Sequence, residues 1–363
     1  MKIINLKEWL DLFNLDNISY NTFLKQAKIK GSNETYFRNK IKSHKLRKMF
    51  YDCFIIRKKE YLVNFYNRSL KISDNNIDLN NLDNNILSNS VNKKYKSLIR
   101  NLYFKEILLL TKTDLKGLRP FLEVLLDLNN KLLIDYKLLT PSAIKYIKSN
   151  QYGSVLSAYY FRASIMNPTI PYILSKTILK GRKIFTPTLG WSSYMHGFLS
   201  NDYVKEYIGT DVIDNVCKTT YELGKHLYPD KKIKIYNSPS ENLMMQVNFK
   251  VKYRKYFDVI FFSPPYFKLE IYPGKNQSIN KYKDYNSWLN GYWEKTIQLC
   301  KYVLKNNGKM CYIVSSYGKY NNLVSDMNKI TNKYFNTIKI YQLGNSKFFN
   351  NNSEKIHIFK PIG

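Results

Sequence analysis

From about Tyr152 to the carboxyl end, short apolar runs alternate with segments long enough to form a helix. No other feature limits the possible folds as strongly. Runs at Lys183–Pro187, Glu206–Asp211, Lys232–Asn237, Phe257–Phe262, Lys309–Ser315, Thr337–Leu343 and Ile356–Lys360 read as strands. Parallel neighbours need a crossover connection, and a helix-sized gap supplies it. The expected fold is therefore α/β with a largely parallel sheet. The last two runs are close together, as in an antiparallel hairpin at a sheet edge.

The upstream part reads differently. Residues 1–72 are expected to be helical, with Leu6, Trp9, Leu10, Leu12 and Phe13 recurring at helical spacing. A helix-turn-helix is expected between Tyr20 and His44. Its first helix would be Asn21–Lys28, its turn Gly31-Ser32-Asn33 and its second helix Glu34–Lys42. Arg38, Lys42, Lys45 and Arg47, interleaved with Tyr36, Phe37 and Phe50, fit a helix that grips nucleic acid. They equally fit a solvated basic helix with an aromatic core face. Residues 73–94 are rich in Asn and Asp and read as a linker or loop. A helical pattern returns over 95–150, and residues 151–363 form the α/β domain.

Lys and Arg number 58 against 27 Asp and Glu, a formal charge of +31 in 363 residues. Such a charge attracts polyanions, nucleic acid above all. The abundance of Lys, Asn, Ile and Tyr also fits an AT-rich coding sequence. Cys53, Cys217, Cys300 and Cys311 are scattered, with no metal-type pair, and read as reduced buried thiols. His44, His196, His226 and His357 are equally scattered, so no metal is expected. No signal-like or membrane-length apolar stretch is visible, so a soluble intracellular protein is expected. The oligomeric state is left open.

The most informative local feature is Asp258-Val-Ile-Phe-Phe-Ser263-Pro264-Pro265-Tyr266-Phe267. An apolar strand runs straight into Ser-Pro-Pro-Tyr, and ligands of open α/β sheets bind beyond the carboxyl ends of strands. An exocyclic amino group on adenine or cytosine is conjugated with its ring and is a poor nucleophile. Acceptors aimed at its hydrogens favour the sp³ geometry needed for attack, and Ser263 Oγ and the Pro264 carbonyl could serve. Pro264 and Pro265 fix φ and bring no competing N–H. Tyr266, with Phe267, offers a face for a base flipped out of its helix. The plain alternative is a Pro-Pro turn closing a strand.

Two further turns follow candidate strands. Lys183–Pro187 leads to Thr-Leu-Gly190-Trp-Ser-Ser193, where Gly190 allows close backbone approach to a ligand. About twenty residues later Asp211 ends the next run, placed either to receive ribose hydroxyls or to cap a helix. Ser238, in Asn237-Ser238-Pro239-Ser240-Glu241, follows the third run and fits an adenine contact or a simple turn.

With these residues in place, 152–360 resembles the DNA amino-methyltransferases, which methylate adenine N6 or cytosine N4. The resemblance implies a Rossmann-like domain with a mostly parallel seven-stranded sheet, and S-adenosyl-L-methionine as cofactor. It further implies Ser263, Pro264, Pro265 and Tyr266 as the catalytic motif, in the Ser form commoner among cytosine N4 enzymes. Pro187, Gly190, Asp211 and Ser238 would contact the cofactor, and Asn167, in the segment Phe161–Pro168, would lie near its methionine end. Gly308-Lys-Met-Cys-Tyr-Ile-Val resembles a later strand of the sheet. The sequence departs from the family's Gly turn at Thr186, where an acid is usual, and at Ser192, where a second glycine is usual. The expected partner is double-stranded DNA, recognised by residues 1–140. RNA, a protein glutamine amide, or an inactive nucleic-acid-binding scaffold are the rival readings.

Overall fold

The computed structural model describes residues 2–31, 33–72, 87–89, 94–113, 119–149, 151, 155–156, 160, 163–316, 320–344 and 354–363. The expected linker at 73–94 lies almost wholly outside them. The chain divides into two compact units, one of Lys2–Ser73 with Arg100–Ala163, the other of Met1, Asp74–Ile99 and Ser164–Gly363. The unit boundaries therefore fall at Ile99 and Ala163, and the expected 95–150 region is divided between the two units.

The larger unit is built on seven strands: β1 (Lys183–Thr186), β2 (Glu206–Asp211), β3 (Lys232–Asn237), β4 (Phe257–Phe262), β5 (Leu304–Val314), β6 (Phe335–Gln342) and β7 (Lys355–Pro361). They lie in the order β6-β7-β5-β4-β1-β2-β3. Neighbours from β5 through β4, β1 and β2 to β3 are parallel, and β7 runs against both β5 and β6. This is the largely parallel α/β sheet expected from the rhythm, in the seven-stranded Rossmann-like form that the resemblance implies, with the late hairpin at one edge. Helices α1 (Ser193–Leu199), α2 (Asp214–Leu227), α3 (Val247–Tyr253), α4 (Lys295–Val303) and α5 (Leu323–Thr331) connect successive strands.

Burial follows position in the sheet. Val259 to Phe262 of β4 and Met310 to Val314 of β5 are fully buried, as central parallel strands covered on both faces must be. The edge strand β6 exposes Ile338 and Ile340. At the amino ends, Asp258 Oδ2 accepts the N–H groups of Arg182 and Lys183 at 3.0 and 2.9 Å, while Oδ1 meets Lys305 Nζ at 2.6 Å. One carboxylate thus aligns the starts of β4, β1 and β5. The four cysteines are free and buried, as expected. No helix among the described residues is long and apolar enough to cross a membrane.

The smaller unit corrects the helix-turn-helix. The first helix is Tyr20–Gln26, capped by Ser19. Lys28–Lys30 is then a strand, antiparallel to Thr35–Tyr36 and parallel to Leu133–Asp135. The reason is local: Lys-Ile-Lys has the alternation of a strand, and Ile29 is buried against solvated neighbours. The expected helix Glu34–Lys42 shrinks to one turn, Phe37–Lys40, and the longer basic helix is His44–Tyr51, capped by Ser43.

Fully buried Asn101 ties this unit together. Its Oδ1 accepts Ile4 N–H at 2.8 Å, and its Nδ2 donates to the carbonyls of Ile4 and Leu70 at 2.8 and 2.9 Å. Asn101→Leu strands those main-chain groups without water. It should cost about 2–4 kcal/mol of unfolding free energy, read as a lowered midpoint in urea.

Candidate active site

The sheet reverses its direction of growth between β1 and β4, so the loops leaving these strands diverge at their carboxyl ends. A cavity of about 270 Å³ opens there, many times the ~30 Å³ share of one water. Its wall contains Pro187, Thr188, Gly190 and Trp191 after β1, Asp211 to Ile213 at and beyond the end of β2, Ser238 to Glu241 after β3, and Ser263 to Tyr266 after β4. Ser164, Met166, Glu270, Tyr272, Tyr292, Ser315 and Glu354 complete much of the remainder. The three turns singled out in the sequence therefore meet at one place.

The turn after β1 is left-handed at three successive residues, Gly190 (φ 52°), Trp191 (φ 56°) and Ser192 (φ 67°). A Cβ at Gly190 would fall 2.2 Å from the Tyr194 ring. Trp191 and Ser192 bear the conformation at a cost of about 1–2 kcal/mol each. Ser192 is held by a 2.7 Å hydrogen bond between its Oγ and Thr220 Oγ1. Thr186 is fully buried and bonded through Oγ1 to the Tyr207 hydroxyl at 2.5 Å, away from the cavity wall.

Asp211 joins this turn to β2. Its Oδ2 accepts Leu189 N–H at 3.2 Å, and its Oδ1 accepts Val212 and Ile213 N–H at 2.8 and 3.1 Å. The N-cap of α2 is Ile213, so Asp211 is not the helix cap allowed for in the sequence reading. Burial pushes its carboxyl pKa up, against the pull of the three N–H donors. Ser238 sits alongside, donating its N–H to the Asp211 carbonyl at 2.9 Å.

The Ser-Pro-Pro-Tyr segment is fixed by its backbone. Ser263 N–H donates to the Tyr194 hydroxyl, and the Ser263 carbonyl accepts Thr188 Oγ1, each at 3.2 Å. Both bonds tie the segment to the Gly190 region, and Ser263 stands on the cavity wall. The Tyr266 hydroxyl accepts Ser315 N–H at 2.8 Å, which anchors the half-buried ring to the end of β5.

Two expected contacts lie elsewhere. Phe267 is only 2% exposed and packs among Tyr285, Trp288 and Tyr320, because its neighbours already form an aromatic core; it offers no face to the cavity. Asn167 is fully buried, its Oδ1 accepting Thr169 N–H and Oγ1 at 3.1 and 2.7 Å. It shapes the turn, and the nearby Ser164 and Met166 reach the cavity instead. Arg38, Lys42 and Lys45 are exposed in the smaller unit, and Arg47 is half-buried with Nη1 3.5 Å from the Ile41 carbonyl.

Several wall residues escaped sequence reasoning. Tyr292 is 4% exposed, and its hydroxyl has no partner among the described residues. It belongs to a π-helical turn, Leu289–Glu294, a distortion frequent at functional sites. Burial, with the carboxylates of Glu241 and Asp211 nearby, pushes its pKa well up. In the sequence it is one more aromatic in a helical run. Glu270 accepts Ser164 N–H at 3.0 Å and the Tyr272 hydroxyl, and the Tyr272 ring lies edge-on to Trp191 at 5.8 Å. Burial pushes its carboxyl up to about 7. Glu354 is likewise pushed up by burial.

The wall therefore carries four carboxylates, Asp211, Glu241, Glu270 and Glu354, and no Lys, Arg or His among the described residues. In a chain of charge +31 this is a sharp local reversal. It suits a cationic ligand and opposes a pyrophosphate. No group of acids, cysteines and histidines among the described residues is arranged to hold a metal ion. Gly190→Ala should lower stability by about 2–4 kcal/mol, from the positive φ and the Tyr194 clash, measured by thermal or denaturant melting.

No family model matches the chain, and no curated protein matches it in sequence. Solved structures share part of its arrangement. The PH0226 protein of Pyrococcus horikoshii OT3 is 14% identical, with a TM-score of 0.34 over 52% of this chain and 86% of that one. TrmN of Thermus thermophilus is 8% identical, with a TM-score of 0.38 over 54% of this chain, which spans about half (49%) of TrmN. The N-methyltransferase NodS of Bradyrhizobium japonicum WM9 is 8% identical, with a TM-score of 0.38 over 53% and 93%. Likeness at these scores leaves the chemistry to the cavity's own residues.

Proposed function

We propose that the chain is an S-adenosyl-L-methionine-dependent methyltransferase acting on an exocyclic amino nitrogen of a nucleic-acid base, in DNA. The observation that carries the reading is the meeting of Ser263-Pro264-Pro265-Tyr266 with the Gly190 turn and Asp211 around a cavity whose charged wall residues, among those described, are all acids. The cofactor fits that wall: it is cationic at its sulfonium and ammonium, carries a ribose, and has no phosphate. It supplies a methyl group already activated for transfer to nitrogen.

The chain's own residues then have separable tasks. Asp211 keeps acceptor capacity beyond its three N–H bonds, since a carboxylate offers about four sites, and serves the ribose. The Tyr292 hydroxyl, on which the charges of Glu241 and Asp211 both act, gives a further polar contact at the nucleoside end. Ser263 Oγ and the Pro264 carbonyl accept the hydrogens of the target amino group, favouring the geometry from which it attacks. Tyr266 holds the base by its face, with the ring position set by Ser315. Positioning supplies most of the acceleration. The preference for nucleic acid rests on the net charge and on exposed Arg38, Lys42 and Lys45.

Labelled methyl transfer from S-adenosyl-L-methionine to mixed-sequence DNA, followed by nucleoside analysis, is the direct test. N4-methylcytosine or N6-methyladenine is the expected product. Transfer only to RNA of the same sequence would reassign the substrate; absence of cofactor binding would reject the enzyme altogether. Ser263→Ala and Tyr266→Ala should each retain cofactor affinity and lose on the order of 100-fold in turnover. Near wild-type rates in both would overturn the roles given to them.

A further inference from the structure

The acids of the cavity are not equivalent. Asp211 accepts three main-chain N–H groups, and Glu241 lies 3.4 Å from Lys281 Nζ. Thr186 is neutral and engaged with Tyr207, so β1 contributes no charge to the wall. Glu270 differs: it accepts from the Ser164 N–H and the Tyr272 hydroxyl, which are neutral donors. The same two partners locate it. Ser164 precedes the wall residue Met166, and Tyr272 packs edge-on against Trp191 of the left-handed turn. Glu270 thus stands by the Gly190 turn, whose Leu189 N–H is already held by Asp211; Asp211 and Glu241 also act on Tyr292, whose hydroxyl has no partner among the described residues.

We propose that Glu270 is the counter-ion for the α-ammonium of the cofactor's methionine moiety, held in place by Ser164 and Tyr272 and assisted by the nearby charge of Glu354. The assignment rests on the cofactor reading given above. A cation is the one kind of ligand group that relieves two neighbouring buried carboxylates at once. The raised pKa of Glu270 fits, since burial and Glu354 both oppose its ionisation until a positive charge arrives. Two donors fix the carboxylate beforehand, so little order has to be gained on binding.

The test compares two ligands by isothermal titration calorimetry on the full chain. S-adenosylhomocysteine carries the ammonium, whereas 5′-methylthioadenosine keeps the nucleoside thioether and lacks the amino-acid end. Glu270→Gln should weaken S-adenosylhomocysteine roughly 30-fold and leave methylthioadenosine unchanged. Glu270→Asp, which keeps the charge, should recover part of the loss. Equal weakening of both ligands by Glu270→Gln would mean a merely structural role and overturn the assignment. So would unchanged affinity for S-adenosylhomocysteine. If the wild-type chain binds neither ligand, the cofactor reading itself falls, a result distinct from either.

Discussion

Two residue pairs, Ile184 with Val259 and Phe185 with Ile260, bring β1 and β4 side by side. Everything functional in the larger unit depends on that pairing. The chain first builds outward from β1 through β2 to β3, then returns to lay β4 on the opposite side of β1. Loops leaving the two adjacent strands must part, and the gap between them cannot be filled by a crossover helix. Asp258 secures the register from the far end, while Ser263 and Thr188 close it at the near end. The cavity is a consequence of topology before it is a consequence of any motif.

Its electrostatics are set against the rest of the molecule. A strongly basic chain draws polyanions to its surface, yet the pocket beyond the strand ends carries acids alone among its described charged wall residues. On the proposed reading, that separation would let one protein attract a phosphate backbone without filling its small-molecule site with phosphate. It also ties affinity to the charge of the bound molecule. On the proposed reading, a sulfonium that has given up its methyl is neutral, so the wall that favours the donor would hold the spent thioether less strongly.

The sheet was largely legible because burial writes directly into sequence. Glu206–Asp211, Lys232–Asn237 and Phe257–Phe262 are strands with the boundaries read from their apolar runs. β5 begins earlier than its apolar run, because Leu304 already pairs with Phe257 before a bulge in which Asn306 and Asn307 face solvent. The turns after β1, β2 and β4 were legible because Gly, Asp and Pro-Pro impose backbone geometry. Glu270, Glu354 and Tyr292 were not. They come from segments distant in sequence, and neither spacing nor residue type separates them from surface acids or a core aromatic. The amino-terminal region misled for the opposite reason: Lys28–Lys30 is too short for periodicity to register, and its strand character is completed by Leu133–Asp135, a hundred residues away.

The left-handed run Gly190-Trp191-Ser192 has a consequence for how this protein can change over time. Two of its three residues carry side chains in a conformation that glycine would adopt without penalty, so local stability has been surrendered at the rim of the cavity. The Ser192–Thr220 bond recovers part of it, but only while both hydroxyls are present. A change that removes either hydroxyl therefore removes that bond, and Trp191 is constrained by a backbone its own side chain disfavours. Lineages descended from such a sequence have a short route to greater robustness through glycine at 192, with the loss of the hydrogen bond to Thr220 beside the cavity.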